Sequence, residues 1–269
     1  MPLSKDALSR ALDYPYDIPK TSFAFDPATG AAQAIADVRI VEWDVSHHND
    51  HATFYDIDVL LDGKPRRLAK VCPVVASGSN AAPRQLHRKF QAHSADTMFA
   101  FLCDFEDVMP VFSTHFSSYG AISACLHRWP GAASRLFVNL LGEAELSRMH
   151  LTESLGRHYN FSRLDSPVCR LNGAAVEMNL HYYESIQDPI LDVRGRPIVV
   201  SSFDVKKHPL PSASAEQLLR RVMRELFPDM KFEDAIAGIV NSKSKRVAAT
   251  ERLKDLRVVL PSAGARAIA

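Results

Sequence analysis

No stretch of this sequence is apolar for long enough to cross a bilayer as a helix, and neither sign of charge dominates. Lysine and arginine total 32 against 31 acids, a formal net charge of +1. That balance lacks the basic footprint of a nucleic-acid binder. Cysteine is sparse: Cys72, Cys103, Cys125 and Cys169 are far apart and sit in apolar contexts. Such spacing predicts buried thiols in a reducing cytoplasm, and neither a disulfide frame nor a zinc site. The opening "MPLSKDALSRALDYPYDIPK" contains acids and prolines and no apolar core, so it does not read as a secretory signal. Internal repeats and low-complexity tracts are absent too.

Several catalytic signatures are also missing. The run Gly78-Ser79-Asn80-Ala81 lacks the second glycine of a Gly-x-Ser-x-Gly nucleophile elbow, which argues against Ser79 as a nucleophile. No Gly-Lys-Ser/Thr ending marks a P-loop, and no cysteine carries the local signature of a thiol protease. In "SHHNDH", His47, His48, Asp50 and His51 match no standard ligand spacing, and neighbouring histidines on an extended segment point apart. A polar loop is expected there, not a metal site.

What is present is an ordinary globular composition: 269 residues, 46% hydrophobic and 23% charged, enough for a large core. Residues 1–35 read as a polar lead-in with a short helix over Lys5–Leu12. Val38–Val45 alternates as a half-buried strand, and Asp62-Gly63 signals a hairpin between two further strands. "CPVVA" is a short apolar strand. It is followed by the Gly-Ser-Asn corner and a helix near residues 83–92, with Pro83 at its start. More strands are expected in "VMPVFSTHFS", "AISACLHR", "SRLFVNLL", "HYNFSRLD", "AAVEMNLHYYES" and "PIVVSSFDV", with a turn at Pro130-Gly131. "GEAELSRMHLTES" reads as an amphipathic helix bearing Leu146, Met149 and Leu151. Many strands with few, short helices indicate an α+β fold with a strongly bent or barrel-like sheet. After "KKHPLPSAS" the chain turns helical. Ser214 caps "AEQLLRRVMRELF", Pro228 ends it, and one or two helices cover residues 231–256. The basic cluster Lys243, Lys245 and Arg246 reads as a solvated face, without chemistry.

Two features could act together. A Gly-Ser-Asn corner between an apolar strand and a helix can offer backbone N–H groups to an anion. Glu153, at the end of a mostly apolar helical stretch, is either a surface residue or a partly desolvated carboxylate. In the second case its pKa would rise toward the range useful for proton transfer.

These stretches, with "WPGAASRLFVNLLGEAELSRMHLTESLGRHYNFSRL", resemble the γ-glutamylcyclotransferase-like superfamily over roughly residues 71–205. Its members carry a Tyr-Gly-Ser-Asn loop. Later come a Pro-Gly, a Val-rich strand, a short helix ending Leu-Asp-x-x-Glu-Gly, and a tyrosine a few residues on. Pro130-Gly131, "RLFVNLL", Met149–Ser154 and Tyr159 occupy the matching places. The resemblance implies a compact mixed barrel with flanking helices, here with an N-terminal β extension (1–70), the core (71–210) and a C-terminal helical extension (211–269). It also implies cyclotransfer: the substrate's own α-amine attacks its γ-carbonyl, releasing 5-oxoproline and an amine. Glu153 would be the acid/base, and Ser77, Gly78, Ser79, Asn80 and Tyr159 would hold a γ-glutamyl or related ω-amide substrate, with no metal or cofactor. Tyr119 and His115 precede the Pro-Gly by a distance that would bring them to the cavity mouth. Three positions depart from the pattern: Ser77 replaces the loop tyrosine, His150 the aspartate, and Ser154 the glycine. Those departures leave open a hydrolase in which Glu153 activates water, and a non-catalytic binding or assembly protein. The segments outside 71–205 would cover the pocket or build a homodimer.

Overall fold

A computed structural model describes residues 3–49, 51–92, 96–165 and 167–260. The chain opens with α1 (Lys5–Leu12), whose N-cap Ser4 accepts from the Ala7 N–H. Five strands follow: β1 (Ser22–Phe25), β2 (Ala32–Ile35), β3 (Val38–His48), β4 (Thr53–Leu61) and β5 (Lys64–Ala76). Asp62 and Gly63 have φ of 49° and 76°, the left-handed pair that a type I′ hairpin turn demands. Two expectations change here. The lead-in is not merely polar, because β1 pairs with β6 at Met98–Ala100 and buries Phe23 and Phe25. "SHHNDHA" is not wholly loop, because His47 and His48 continue β3 opposite Phe54 and Thr53.

A single 3₁₀ turn (Ser79–Ala81) separates β5 from α2 (Pro83–Phe90), which leads to β6 (Met98–Phe116) and β7 (Ile122–Leu141). Pro130-Gly131 is not a turn between strands. It lies in a bulge of β7, where pairing jumps from Val108↔Arg128 to Glu106↔Ala133. Gly131 takes φ 84° and donates its N–H to the Asp107 carboxylate at 2.6 Å. Next come α3 (Glu143–Glu153), β8 (Tyr159–Arg163), β9 (Val168–Leu171), β10 (Ala174–Ala175) and β11 (His181–Ser185). In α3, Leu146 and Met149 are buried but Leu151 is exposed, so its apolar face is narrower than its composition suggests. Short strands β12 (Leu191–Asp192), β13 (Val199–Val200), β14 (Val205–Lys206) and β15 (Ser212–Ala213) precede three helices. These are α4 (Ala215–Leu226), α5 (Phe232–Asn241) and α6 (Lys243–Asp255), and β16 (Arg257–Val258) follows. Ser214 and Gln217 form a full capping box on α4.

The architecture is mixed α+β: a large, mainly antiparallel sheet with six helices among the described residues. The main path runs β10-β9-β6-β7-β5-β11-β8. Its ends, β10 and β8, do not pair, so the sheet is not closed into a barrel. Within it β5 is interior, antiparallel to β7 along Cys72–Ala76 and parallel to β11 at His181 and Tyr182. The loop leaving β5 therefore starts from inside the sheet, beside β7 with Asn139 and β11 with Tyr183, and one strand from β8 with Tyr159. All four cysteines are free and buried. Among the described residues no helix is long and apolar enough to cross a membrane.

One core contact titrates. His181 is 4% exposed, stacks on Phe161 at 5.0 Å, and its Nε2 accepts the Thr53 N–H at 3.2 Å. Burial first, then Arg163, lowers its pKa from the ordinary 6.5 to about 4. The unfolded chain thus takes up a proton that the folded chain refuses, and stability falls as pH drops from about 6.5 toward about 4. Urea midpoints measured across that window should fall more steeply for the wild type than for His181→Gln. Equal slopes would sink this assignment.

Candidate functional site

The Gly-Ser-Asn corner folds as it does because β5 ends buried and Pro83 starts a new helix four residues after Ser79. The turn closes through Ala81 N–H to Gly78 O and Ala82 N–H to Ser79 O, both 3.0 Å. The N–H groups of Gly78, Ser79 and Asn80 stand outside that bonding. From β7, the side-chain amide of Asn139 donates to Asn80 O at 3.1 Å and holds the corner's backbone.

Glu153 is the last residue of α3. Ser154 follows in the left-handed conformation, φ 54°, and turns the chain sharply away. That φ explains why a glycine suits this place at no steric cost, while Ser154 carries some strain. The Glu153 side chain is 14% exposed. Its Oε1 accepts from Asn80 Nδ2 at 2.9 Å, so the two halves of the predicted site touch. Lys89 Nζ binds the same oxygen and also approaches Met149 Sδ at 3.2 Å. The Lys89 side chain is only 6% exposed, and this buried ion pair gives the carboxylate a counter-ion inside the wall.

Around this pair lies a cavity of about 650 Å³, within the usual range for small-molecule sites. Ser77, Gly78, Ser79, Asn80, Tyr119, Glu153 and Tyr159, together with His115, all line it, so every predicted site residue faces one space. Tyr14 and Tyr183 join them. Burial is the first cause raising the hydroxyl pKa of Tyr14, Tyr119, Tyr159 and Tyr183. The negative charge of Glu153 is a further cause for Tyr14, Tyr159 and Tyr183. These phenols stay protonated and serve as hydrogen-bond donors, not bases. His150, in place of the pattern's aspartate, sits beside Tyr183 with its Nδ1 2.9 Å from the tyrosine hydroxyl.

Sequence reasoning missed Tyr183 and three further contributors. Lys89 had a signal: Gln85, Leu86, Lys89 and Phe90 share the buried face of α2, and a lysine on such a face needs a partner. Tyr14 had none, because nothing local says that the lead-in packs on the loop. Its hydroxyl accepts the Ala124 N–H at 2.8 Å and would lie 2.5 Å from a Cβ at Gly78. An aromatic ring from the N-terminal segment thus packs against the corner. The third contributor is the cluster read as solvated. Lys243 and Arg246 line the cavity, whereas Lys245 does not.

The histidine-rich stretch lies apart from this cavity. His47 stacks on Phe54 and its Nε2 is 2.7 Å from the Glu143 carboxylate, while His48 Nδ1 is 3.1 Å from Thr53 Oγ1. Asp50 lies outside the described residues. Among the described residues no three His, Cys, Asp or Glu side chains gather as a metal site would require. No family model, curated protein or solved structure matches the chain.

Proposed function

We propose that this protein cleaves a γ-glutamyl amide, or a closely related ω-amide, by intramolecular cyclotransfer. The observation that carries the reading is the direct contact of Asn80 with Glu153 at the wall of a cavity that also holds Gly78, Ser79 and Tyr159.

The chemistry asks little of a protein. An amine held near its own γ-carbonyl reacts through a five-membered ring, and proximity supplies much of the rate. What remains is proton transfer and positioning. Glu153 removes a proton from the substrate's α-amino group as its nitrogen bonds to the γ-carbon. It then returns that proton to the departing nitrogen as the amide C–N bond breaks, so 5-oxoproline and a free amine leave. The Lys89 ion pair aims the carboxylate, and Asn80 fixes one of its oxygens. The N–H groups of the Gly78–Asn80 corner suit the substrate's α-carboxylate, and the protonated phenols of Tyr159 and Tyr183 suit the polarised carbonyl.

The test is a panel of γ-glutamyl amines and dipeptides incubated with purified protein, reading 5-oxoproline beside free glutamate. The expected product is 5-oxoproline with a stoichiometric amine. Glutamate in its place would replace cyclotransfer with hydrolysis by a Glu153-activated water. No turnover, with no ligand-induced stabilisation, would overturn the enzymatic reading.

A further inference from the structure

The helix read as chemically silent lines the cavity. In α6, Lys243, Arg246, Val247, Thr250 and Glu251 recur at the 3–4 residue spacing of one helical face, and all five border the cavity. The helix is fixed on β6, where the Phe116 N–H meets Thr250 Oγ1 at 3.4 Å. Arg246 is itself anchored, since its Nη1 donates to Ile239 O at 2.8 Å at the end of α5.

Charge around this space is lopsided. The wall holds six cations, Arg10, Arg88, Lys89, Arg157, Lys243 and Arg246, against two carboxylates, Glu153 and Glu251. Both carboxylates are already engaged, Glu153 with Lys89 and Glu251 with Lys254. Among the described residues none of the other five cations has a carboxylate within ion-pair distance, although Arg10 lies over Tyr119 and Arg88 over Tyr16. Yet the whole chain is nearly neutral at +1. A solvated basic face normally intersperses acids among its cations. A concave wall of one sign, within a neutral protein, focuses its field on whatever enters.

Two histidines share this wall: the His115 and His158 rings lie 4.3 Å apart, tilted by 37°. The His115 pKa falls to about 4, through burial first and then His158 and Arg246. That of His158 is lowered by burial, then by Arg157 and Arg246.

We propose that Arg157, Lys243 and Arg246 form a subsite for a multiply charged anion, a phosphate-type group or a set of carboxylates, carried on the part of the substrate that leaves as the amine. Assigning the anion to the leaving half rests on the cyclotransfer reading; the anion subsite itself rests on the α6 face and its unpaired cations. Charge-assisted bonds from a guanidinium anchored at one nitrogen, joined by two exposed cations, would select such a group over a neutral amine.

Calorimetric titration of the intact protein with inorganic pyrophosphate, and separately with citrate, tests the subsite without requiring turnover. Saturable binding of at least one probe is expected, weakening as salt rises. The tighter probe names the chemistry. Arg157→Gln/Lys243→Gln changes two exposed side chains, so the fold should survive, and it should weaken binding at least tenfold. Arg246→Gln should weaken it also, but loses the anchor to α5. Glu153→Gln should bind the probe at least as tightly as wild type. No saturable binding of either probe, or full affinity in the double variant, would overturn the subsite. A second readout separates the two claims. For γ-glutamyl conjugates, the double variant should lose kcat/KM with an anionic leaving amine and keep it with a neutral one. Anion binding without turnover of any conjugate would leave the subsite standing and remove cyclotransfer. Turnover without anion binding or preference would do the reverse.

Discussion

Glu153→Gln should lower turnover of the proposed γ-glutamyl substrate by about 10²–10⁴-fold, the usual contribution of a positioned acid/base. The variant keeps the shape of the side chain and a hydrogen-bonding partner for Asn80, which lies 2.9 Å from Oε1. It cannot take up a proton. It also strands the Lys89 ammonium, whose side chain is 6% exposed and bonds to the same oxygen. Breaking one side of a buried ion pair costs about 3–5 kcal/mol, so thermal stability should fall together with activity. The confounding loss can be separated. In Glu153→Gln/Lys89→Met the lone buried charge is gone, and a flexible apolar chain lies beside Met149. Stability should return most of the way, and turnover should not. Wild-type turnover in either variant, measured on protein shown to be folded, would rule out Glu153 as the acid/base.

Gly78→Ala should also be severe, for reasons of space. The added Cβ would lie 2.5 Å from Tyr14 Oη and 3.6 Å from the Ala124 Cβ. Tyr14 cannot swing aside cheaply, since it is 5% exposed and its hydroxyl holds the Ala124 N–H. Either the corner or the ring must move. Overpacking of this kind costs about 1–3 kcal/mol, and a shift of about 1 Å in a positioning loop can cost about 10²-fold in rate. Tyr14→Phe removes the atom that the methyl meets. Gly78→Ala/Tyr14→Phe should therefore regain part of the lost turnover, even though the Ala124 N–H loses its acceptor. If the single variant turned over at the wild-type rate, the close approach of Tyr14 would not matter to the site.

What could be read in the sequence was whatever short spacing governs. The Asp62-Gly63 turn, the Pro83 helix start and the Ser214 cap each follow from a few adjacent residues, and the structure has all three. The Gly-Ser-Asn corner and Glu153 were legible as separate motifs. Their contact was not, because it depends on β5 lying beside β7 and on α3 folding back over α2. The four-residue β1 gave too brief an alternation, so its pairing with β6 went unseen. Pro130-Gly131 has the composition of a turn, yet it is tolerated in a bulge whose partner, Asp107, lies across the sheet. The expected closure into a barrel fails for a similar reason: it turns on how far β10 and β8 end from each other, which no local pattern encodes. Lys89 and Tyr14 show the same limit at the site itself, since each acquires its meaning from a neighbour distant in the chain.

The placement of α6 links two things usually kept apart. One side of the helix buries Ala249 and Leu253 in the core, and another borders the cavity. Opening this helix would dismantle part of the cavity wall, so any molecule held against Lys243 and Arg246 must oppose that opening. Occupancy should therefore slow amide hydrogen exchange throughout α6 and, through the Arg246 anchor, in the last turn of α5. In that sense the C-terminal helices would report on a ligand by how long their amides resist exchange, even where no atom of the backbone changes place.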